Sequence, residues 1–299
     1  MKLLFVVNPI SGGVDKEPFL KKAKSLCELY GVDYNIFKTT GKNDDANLKI
    51  ALDAYKPDKV VSVGGDGTTL FTSIVLLDTG YSMGIIPLGS ANGMATELFV
   101  NPDPLEALKD VIMSQVIAGL DMVVVNDTYY SIHIGDVGVN ASIVESYESD
   151  KNRGMATYAK YFIQELKRLT PFEFTIKANG EVIHSKGVML GICNSKKYGT
   201  GIPLNINGNP MDGKFEIVVV EKMDTSVLLK AGLSKFNERF HDSQNGLVIS
   251  TTSAEIILDK PRLLQLDGEL IGKFEKFKVA IMPGAVQLIT HNNNLFLGK

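Results

Sequence analysis

The sequence lacks the features that define several protein classes. It has only two cysteines, Cys27 and Cys193, which lie far apart within apolar patterns, so it has no disulfide framework and fits a reducing compartment. The four histidines are too scattered along the chain to predict a zinc site. No tract of biased composition occurs, and 44% hydrophobic with 22% charged residues is typical of globular proteins.

Excess basic charge and long apolar runs are also missing. The formal net charge is −3, which argues against nucleic acid as a partner, because nucleic-acid binding depends largely on neutralising phosphates. The first apolar run, residues 3–7, is too short for a signal-peptide core or a membrane-spanning helix. These absences predict a cytoplasmic protein without a transmembrane segment.

The sequence has two parts with different patterns of predicted secondary structure. Its length of 299 residues also suggests about two domains. Over residues 1–122, short β-branched runs alternate with amphipathic helical patterns, which predicts an α/β domain built on a parallel sheet. Over residues 123–299, short strands and turn signals predict a mostly antiparallel β-sandwich, interrupted by helices near 157–169 and 227–240. A return of the C-terminal end to the first domain stays open.

A glycine-rich turn follows the third predicted strand and reads Gly64-Gly65-Asp66-Gly67-Thr68. Glycines let backbone N–H groups approach phosphate oxygens, and the helix that begins here adds a positive dipole. The turn is neither a Walker loop nor a dinucleotide fingerprint, because the required lysine and glycine spacings are absent. A tight turn with Asp66 as a helix N-cap is the structural alternative.

Two more glycine-bearing turns follow predicted strands, Asn8-Pro9-Ile10-Ser11-Gly12-Gly13 and Pro87-Leu88-Gly89-Ser90-Ala91-Asn92-Gly93. Ligands of open α/β sheets bind outside the carboxyl ends of the strands. Three such loops on one edge predict a nucleotide pocket.

Together with Asp267-Gly268-Glu269 near the end, these motifs resemble those of the diacylglycerol kinase catalytic-domain family, in the same order. That family includes soluble bacterial lipid kinases and sphingosine kinases and is related to NAD kinases. The resemblance extends from Met1 to about Pro283. It implies an N-terminal α/β nucleotide-binding domain, a C-terminal β-sandwich that binds the lipid, and an active site in the cleft between the domains.

The resemblance also implies roles for individual residues. Asp267 matches the general base, Asp66 is expected near Mg²⁺, and Asp121 matches an aspartate that supports the catalytic centre. A structural Mg²⁺ is implied at Asp212, with the carbonyls of Asn209 and Lys214. The implied ATP-binding residues are Asn8, Ser11, Gly12, Thr40, Gly64, Gly65, Asp66, Gly67, Thr68, Gly89, Ser90, Asn92 and Glu269.

Two positions depart from the family pattern. Gly93 and Asn140 stand where the family commonly has aspartates, so two negative charges near the expected site are missing. Glu97 lies one helical turn after Gly93 and projects from a different point on the helix.

The function implied is an ATP- and Mg²⁺-dependent kinase that phosphorylates a hydroxyl of a diacylglycerol-like or long-chain lipid drawn from the membrane surface. An NAD kinase-like enzyme and a non-catalytic nucleotide-binding relative stay open, as do a plain hairpin turn at Asp267 and a homodimer. Lys151 and Arg153 could approach an anionic headgroup at the inner membrane face. An apolar groove for acyl chains has candidates that fit an ordinary core as well: Ile163, Leu166, Leu169, Phe172 and Phe174.

Overall fold

The structure is a computed structural model that describes residues 1–138, 170–197, 204–221 and 246–297. It divides into two compact units, which we describe separately. Unit 1 comprises Met1–Asp121 and Pro283–Lys299, and unit 2 comprises Met122–Met282. Predictions for Asn140, Lys151, Arg153 and the helices near 157–169 and 227–240 lie outside the described residues.

Unit 1 contains a parallel sheet with the strand order β4-β3-β1-β2. The strands are β1 (Lys2–Val7), β2 (Asp33–Lys38), β3 (Lys59–Gly64) and β4 (Ser82–Pro87). The strand β14 (Glu269–Thr290), which begins in unit 2, ends beside β4 in parallel, with Gln287 opposite Ser82. Strands β1 and β3 are buried along almost their whole length, as is typical of parallel sheets that helices cover on both faces.

Helices follow the strands as the alternating pattern predicts. They are α1 (Glu17–Leu29), α2 (Asp44–Tyr55), α3 (Asp66–Val75), α4 (Gly93–Glu97) and α5 (Pro104–Met113), with a 3₁₀ turn at Ser11–Gly13. Helix α5 was not predicted, although Asp103 caps its first N–H groups and Pro104 occupies its first turn. The core between helices and sheet includes Phe5, Val61, Ile86 and Leu108.

Unit 2 is built from antiparallel strands in two groups. One group runs β9-β8-β13-β14, and the other runs β12-β11-β10-β7-β13, so the long strand β13 belongs to both. The strands that lie wholly in unit 2 are β6 (Tyr129–Ser131), β7 (Ile134–Gly138), β8 (Phe172–Ala178), β9 (Glu181–Gly187), β10 (Met189–Cys193), β11 (Phe215–Val220), β12 (Val248–Thr251) and β13 (Ser253–Leu266). Two further strands have part of their length in unit 1, β5 (Val116–Val125) and β14 (Glu269–Thr290).

One apolar core joins the strands of unit 2. It contains Ile176, Phe215, Ile256 and Phe277 from four different strands. Phe172 and Phe174, two candidates for an acyl-chain groove, are buried in this core. The fold class predicted from the sequence, an α/β domain followed by a β-sandwich, is confirmed.

A buried lysine supports the end of helix α5. Lys59 is 8% exposed, and its Nζ donates to the carbonyls of Val111 and Ser114, each at 2.8 Å. The last carbonyls of a helix have no partner within the helix, and a positive charge there is favourable. Burial lowers the pKa of Lys59.

We expect Lys59→Met to lower the free energy of unfolding by about 1–3 kcal/mol, because it leaves two buried carbonyls without their donor. Urea unfolding of the full chain, followed by circular dichroism, measures the effect. Lys49→Met, at an exposed position of α2, is the control and should change stability by less than about 0.5 kcal/mol. Equal urea midpoints for the two variants would contradict the role of Lys59.

Candidate functional site

The glycine-bearing loops of unit 1 begin where three neighbouring parallel strands end. Hydrogen bonds continue the ladder past the strands: Leu88 N–H donates to the Gly64 carbonyl at 2.8 Å, and Asn8 N–H donates to the Val63 carbonyl at 3.2 Å. The three loops therefore leave the sheet side by side at its carboxyl edge, as the sequence predicts.

Glycine is required where these loops touch. A Cβ on Gly89 would lie 2.3 Å from Gly65 Cα, and one on Gly12 would lie 2.8 Å from the Gly89 carbonyl carbon. Gly12 also has a φ of 65°, in the left-handed region that favours glycine. Gly12, Gly65 and Gly89 are thus in backbone contact, and no larger residue fits between these loops.

Polar side chains tie the first loop to the second. Ser11 Oγ accepts a hydrogen bond from Gly65 N–H at 3.0 Å. Lys16 is 3% exposed, and its Nζ donates to the carbonyls of Ser11 and Val14. Burial lowers the pKa of Lys16. Lys16 therefore supports the turn that carries Ser11, a role that the sequence analysis missed.

A pocket of about 420 Å³ opens beside the first two loops. The predicted residues Asn8, Thr40, Gly67 and Thr68 line it. The remaining lining residues are Pro9, Ile10, Thr39, Gly41, Asp44 and Phe71. The pocket has the concave form and the size of a small-molecule site.

Asp44 holds the turn of Thr40 and Gly41, which lines one side of this pocket. Its carboxylate accepts hydrogen bonds from the N–H groups of Thr40 and Gly41, at 2.7–3.0 Å, and from Thr40 Oγ1 at 3.0 Å. Burial acts to raise the pKa of Asp44, but the hydrogen bonds from Thr40 and Gly41 outweigh it and lower the pKa. An ionised carboxylate thus lines the pocket and holds Thr40 in place.

Asp66 connects the glycine-rich turn to helix α4. Its Oδ2 accepts from Gly93 N–H at 3.0 Å and its Oδ1 accepts from Met94 N–H at 2.8 Å. Asp66 therefore caps α4 from outside, whereas the sequence suggested a cap of its own helix. In the loop that precedes α4, Asn92 Oδ1 accepts a hydrogen bond from Gly89 N–H at 2.8 Å, and Asn92 Nδ2 donates to the Gly89 carbonyl at 3.1 Å.

The carboxylate of Asp66 has the chemistry of a single ligand for a divalent metal ion. A carboxylate can accept about four hydrogen bonds or metal contacts, and α4 uses two of them. Within the described part of the chain, no group of three or more His, Cys, Asp or Glu could hold a metal ion. Mg²⁺ is commonly bound by one or two carboxylates together with substrate phosphates, and Asp66 meets that requirement.

Asp121 is buried at the end of unit 1 and holds the returning chain. Its Oδ1 accepts from Gly284 N–H at 2.7 Å. A Cβ on Gly119 would lie 2.9 Å from Gly284 Cα, so the two backbone segments are in close contact. The predicted supporting role of Asp121 in catalysis stays a prediction.

Asp267 lies in unit 2, in the two-residue turn between β13 and β14. Its φ of 50°, with 88° at Gly268, is typical of an Asp-Gly hairpin turn. The carboxylate accepts from Ser131 Oγ at 2.6 Å and from the N–H groups of Ile132, His133 and Ile134 at 2.9–3.2 Å. The structure therefore contains both the plain hairpin turn and a carboxylate that four hydrogen-bond donors hold in one position.

The loop that receives Asp267 is itself held in place. Asn194, which is 1% exposed, donates from Nδ2 to the Ile132 carbonyl at 3.0 Å, and its N–H donates to the His133 carbonyl at 2.9 Å. Glu269, the last residue of the motif, is exposed.

The predicted structural metal site lies in the loop before β11. Asn209 Oδ1 accepts from Met211 N–H at 3.1 Å, and Asp212 Oδ1 accepts from Lys214 N–H at 3.0 Å, so both side chains close local turns. The nearby Glu216 accepts from Asn205 Nδ2 at 2.6 Å. Burial raises the pKa of Glu216 despite the hydrogen bonds it receives. Metal binding at Asn209, Asp212 and Lys214 stays a prediction.

The structure thus sorts the predicted residues of unit 1 into two sets. Asn8, Thr40, Gly67 and Thr68 line the pocket. The other predicted ATP-binding residues of unit 1, with Asp66, make contacts within and between the loops: Ser11, Gly12, Gly64, Gly65, Asp66, Gly89, Ser90 and Asn92. Asp44 and Phe71 were missed. Both had a signal, since Asp44 stands at a helix start and Phe71 lies one turn after Gly67 on α3.

Two family models match the chain. Residues 2–125 match the diacylglycerol kinase catalytic domain. Residues 134–290 match the YegS C-terminal NAD kinase beta sandwich-like domain. Together they span both units and include all three glycine-bearing loops and the Asp267 turn.

Curated relatives match most of the chain. A Yersinia enterocolitica protein named "Probable lipid kinase YegS-like" is 27% identical over 284 residues, covering 90% of each chain. The Bacillus subtilis protein named "Diacylglycerol kinase" is 21% identical over 271 residues, covering 89% of each.

A solved structure has the same fold. The crystal structure of a diacylglycerol kinase from Bacillus anthracis superposes with a TM-score of 0.74 at 19% identity, covering 98% of each chain.

Over the residues that the structure describes, no helix is both long enough and apolar enough to cross a membrane.

Gly67→Ala tests whether a ligand occupies the pocket. In the structure a Cβ at Gly67 meets nothing within 4 Å, and the residue is in the first turn of α3, so folding should be unchanged or up to about 1 kcal/mol more favourable. If phosphate oxygens approach this N–H group, the methyl group should weaken Mg-ATP binding by about ten- to 100-fold.

Isothermal titration with Mg-ATP measures the affinity, and thermal unfolding without nucleotide is the control for folding. An unchanged Kd in a variant of unchanged stability would show that no nucleotide lies against Gly67.

Proposed function

We propose that the chain, which belongs to the family that combines a diacylglycerol kinase catalytic domain with a YegS-type β-sandwich domain, is an ATP- and Mg²⁺-dependent lipid kinase. It transfers the γ-phosphate to a hydroxyl of a diacylglycerol-like or long-chain amphiphilic lipid. The observation that supports the proposal is that Asn8, Thr40, Gly67 and Thr68 line one pocket in unit 1. In unit 2, the turn at Asp267 is restrained by a hydrogen bond from Ser131.

The unit 1 pocket supports ATP as the phosphate donor. Phosphoryl transfer depends mainly on positioning and charge neutralisation, which backbone N–H groups and a helix N-terminus can supply. The turn from Gly64 to Thr68 offers both, at the start of α3. Thr40, positioned by Asp44, and Asn8 line the remaining walls and would contact the rest of the nucleotide.

Mg²⁺ would be held by Asp66 together with phosphate oxygens of ATP, and when bound it supplies charge neutralisation for the transferred group. Gly93 has no carboxylate to offer as a second ligand, so phosphate and water oxygens would complete the coordination. The helix cap that Asp66 makes to Gly93 and Met94 keeps its carboxylate in one orientation.

Asp267 is proposed as the general base. It would take the proton from the lipid hydroxyl as the hydroxyl oxygen bonds to the γ-phosphorus and the bond to ADP breaks. The bonds from Ser131 and from the backbone of Ile132 to Ile134 fix the carboxylate before substrate arrives. Such preorganisation is what a positioned base requires.

The acceptor is proposed from the names of the relatives, which are a lipid kinase and a diacylglycerol kinase. We place the protein in the cytoplasm, where ATP is available and where it would meet its lipid at the inner membrane face. Asp121 is proposed to support the catalytic centre, and the loop with Asn209, Asp212 and Lys214 to bind the structural Mg²⁺.

Transfer of labelled γ-phosphate from Mg-ATP to a mixed lipid extract tests the function, with Asp267→Asn as the decisive variant. Removing a general base costs about 100-fold or more in kcat. We therefore expect labelled lipid from the parent protein and at least that loss in the variant, with little change in Mg-ATP affinity.

Asp127→Asn is a matched control, because Asp127 is also an aspartate with positive φ in a unit 2 hairpin turn, and it is exposed. It should label lipid like the parent. Labelling of NAD in place of lipid would support the NAD kinase-like alternative, and Mg-ATP binding without any transfer would support a non-catalytic relative.

A further inference from the structure

The turn that carries Asp267 is connected to a buried polar pair on the two strands beside it. Gln265 on β13 and Asp136 on β7 lie directly opposite each other in the antiparallel ladder. Their neighbours Leu264 and Val137 are also opposite each other and belong to the apolar core. Since side chains alternate along a strand, Gln265 and Asp136 share the other face.

Both side chains are completely buried, each with 0% of its surface exposed. Gln265 Nε2 donates to Asp136 Oδ2 at 2.5 Å, and Gly268 N–H donates to Gln265 Oε1 at 2.8 Å. The Gln265 amide is therefore used at both ends, one toward Asp136 and one toward the turn. A buried polar group is strongly stabilised by such partners and is costly without them.

The strand pairing is irregular at this point. The register between β13 and β14 shifts between Leu264 and Gln265, so that Leu264 faces Gly272 and Gln265 faces Leu270. Such a bulge weakens the regular ladder just before the turn. The side-chain bonds of Gln265 act where backbone pairing is interrupted.

We infer that Gln265 and Asp136 are positioning residues that fix the Asp267-Gly268 turn, and with it the carboxylate of Asp267. Asp136 holds the Gln265 amide in one orientation, and the amide holds the Gly268 N–H, adjacent to the proposed base. The consequence for catalysis depends on the proposed function, whereas the restraint on the turn does not.

The chemistry of the pair allows a swap experiment. Gln265→Glu keeps an acceptor for Gly268 N–H but places two carboxylates against each other, which repel when ionised. Adding Asp136→Asn restores a donor, so that the amide at 136 donates to the carboxylate at 265. We expect the single variant Gln265→Glu to lose about 100-fold in kcat with the KM for Mg-ATP within about twofold of the parent.

The double variant Asp136→Asn/Gln265→Glu should recover most of that loss. Gln115→Glu, at an exposed position before β5, controls for the added charge and should behave like the parent. A role limited to folding would lower thermal stability without this division between kcat and KM. Parental kcat in folded Gln265→Met, which has no group that could share a proton with Asp136, would overturn the inference, as would no recovery in the double variant.

A second measurement keeps the inference independent of activity. Amide hydrogen exchange at Gly268 should be slow in the parent, at least tenfold faster in Gln265→Met, and slow again in the double variant. If the parent transfers no phosphate, the proposed function fails, and exchange at Gly268 alone decides the restraint. Equal exchange in the parent and in Gln265→Met would refute it.

Discussion

Backbone contact between glycines is the constraint on which the unit 1 site depends. Neighbouring parallel strands lie only about 4.8 Å apart, so loops that leave them at the same edge must pass at backbone distance. Gly12, Gly65 and Gly89 make that possible, since a Cβ at Gly89 would fall 2.3 Å from Gly65 Cα. The hydrogen bond from Gly65 to Ser11 then locks two of the loops together. The arrangement of the three loops therefore depends on the sheet edge rather than on any single loop.

Carboxylates organise the backbone at each place where chemistry is proposed. Asp44 accepts a hydrogen bond from the Thr40 turn, Asp66 caps α4, and Asp267 accepts a hydrogen bond from the backbone that follows β6. In each case the structural role of the residue is compatible with its proposed functional role, because the hydrogen bonds that fix the position of the carboxylate also fix its orientation. Preorganised polar groups lose little entropy when a substrate arrives, which is a requirement for efficient phosphoryl transfer.

Much of the fold could be predicted from local patterns. Short apolar runs predicted the strands β1 and β3, and the hairpin turn at Asp267, which was kept open as an alternative, is present. The change from alternating helices and strands to closely spaced turns predicted the fold class, which the structure confirms. Helix α5 was missed although its start signals, Asp103 and Pro104, are ordinary ones. Four residues of the pocket, Asn8, Thr40, Gly67 and Thr68, were predicted through motifs, whereas Asp44 and Phe71 were missed.

The sequence by itself determined the elements, the order of the motifs and the turn types, because these follow from neighbouring residues and their backbone preferences. Only the tertiary structure decided which partners the buried polar groups take. Asp66 caps a helix 27 residues away, Lys59 supports the end of α5 from 52 residues away, and Gln265 meets Asp136 across 129 residues. Such pairs depend on strand register and packing, and burial makes each polar group take whichever partner the fold brings within reach.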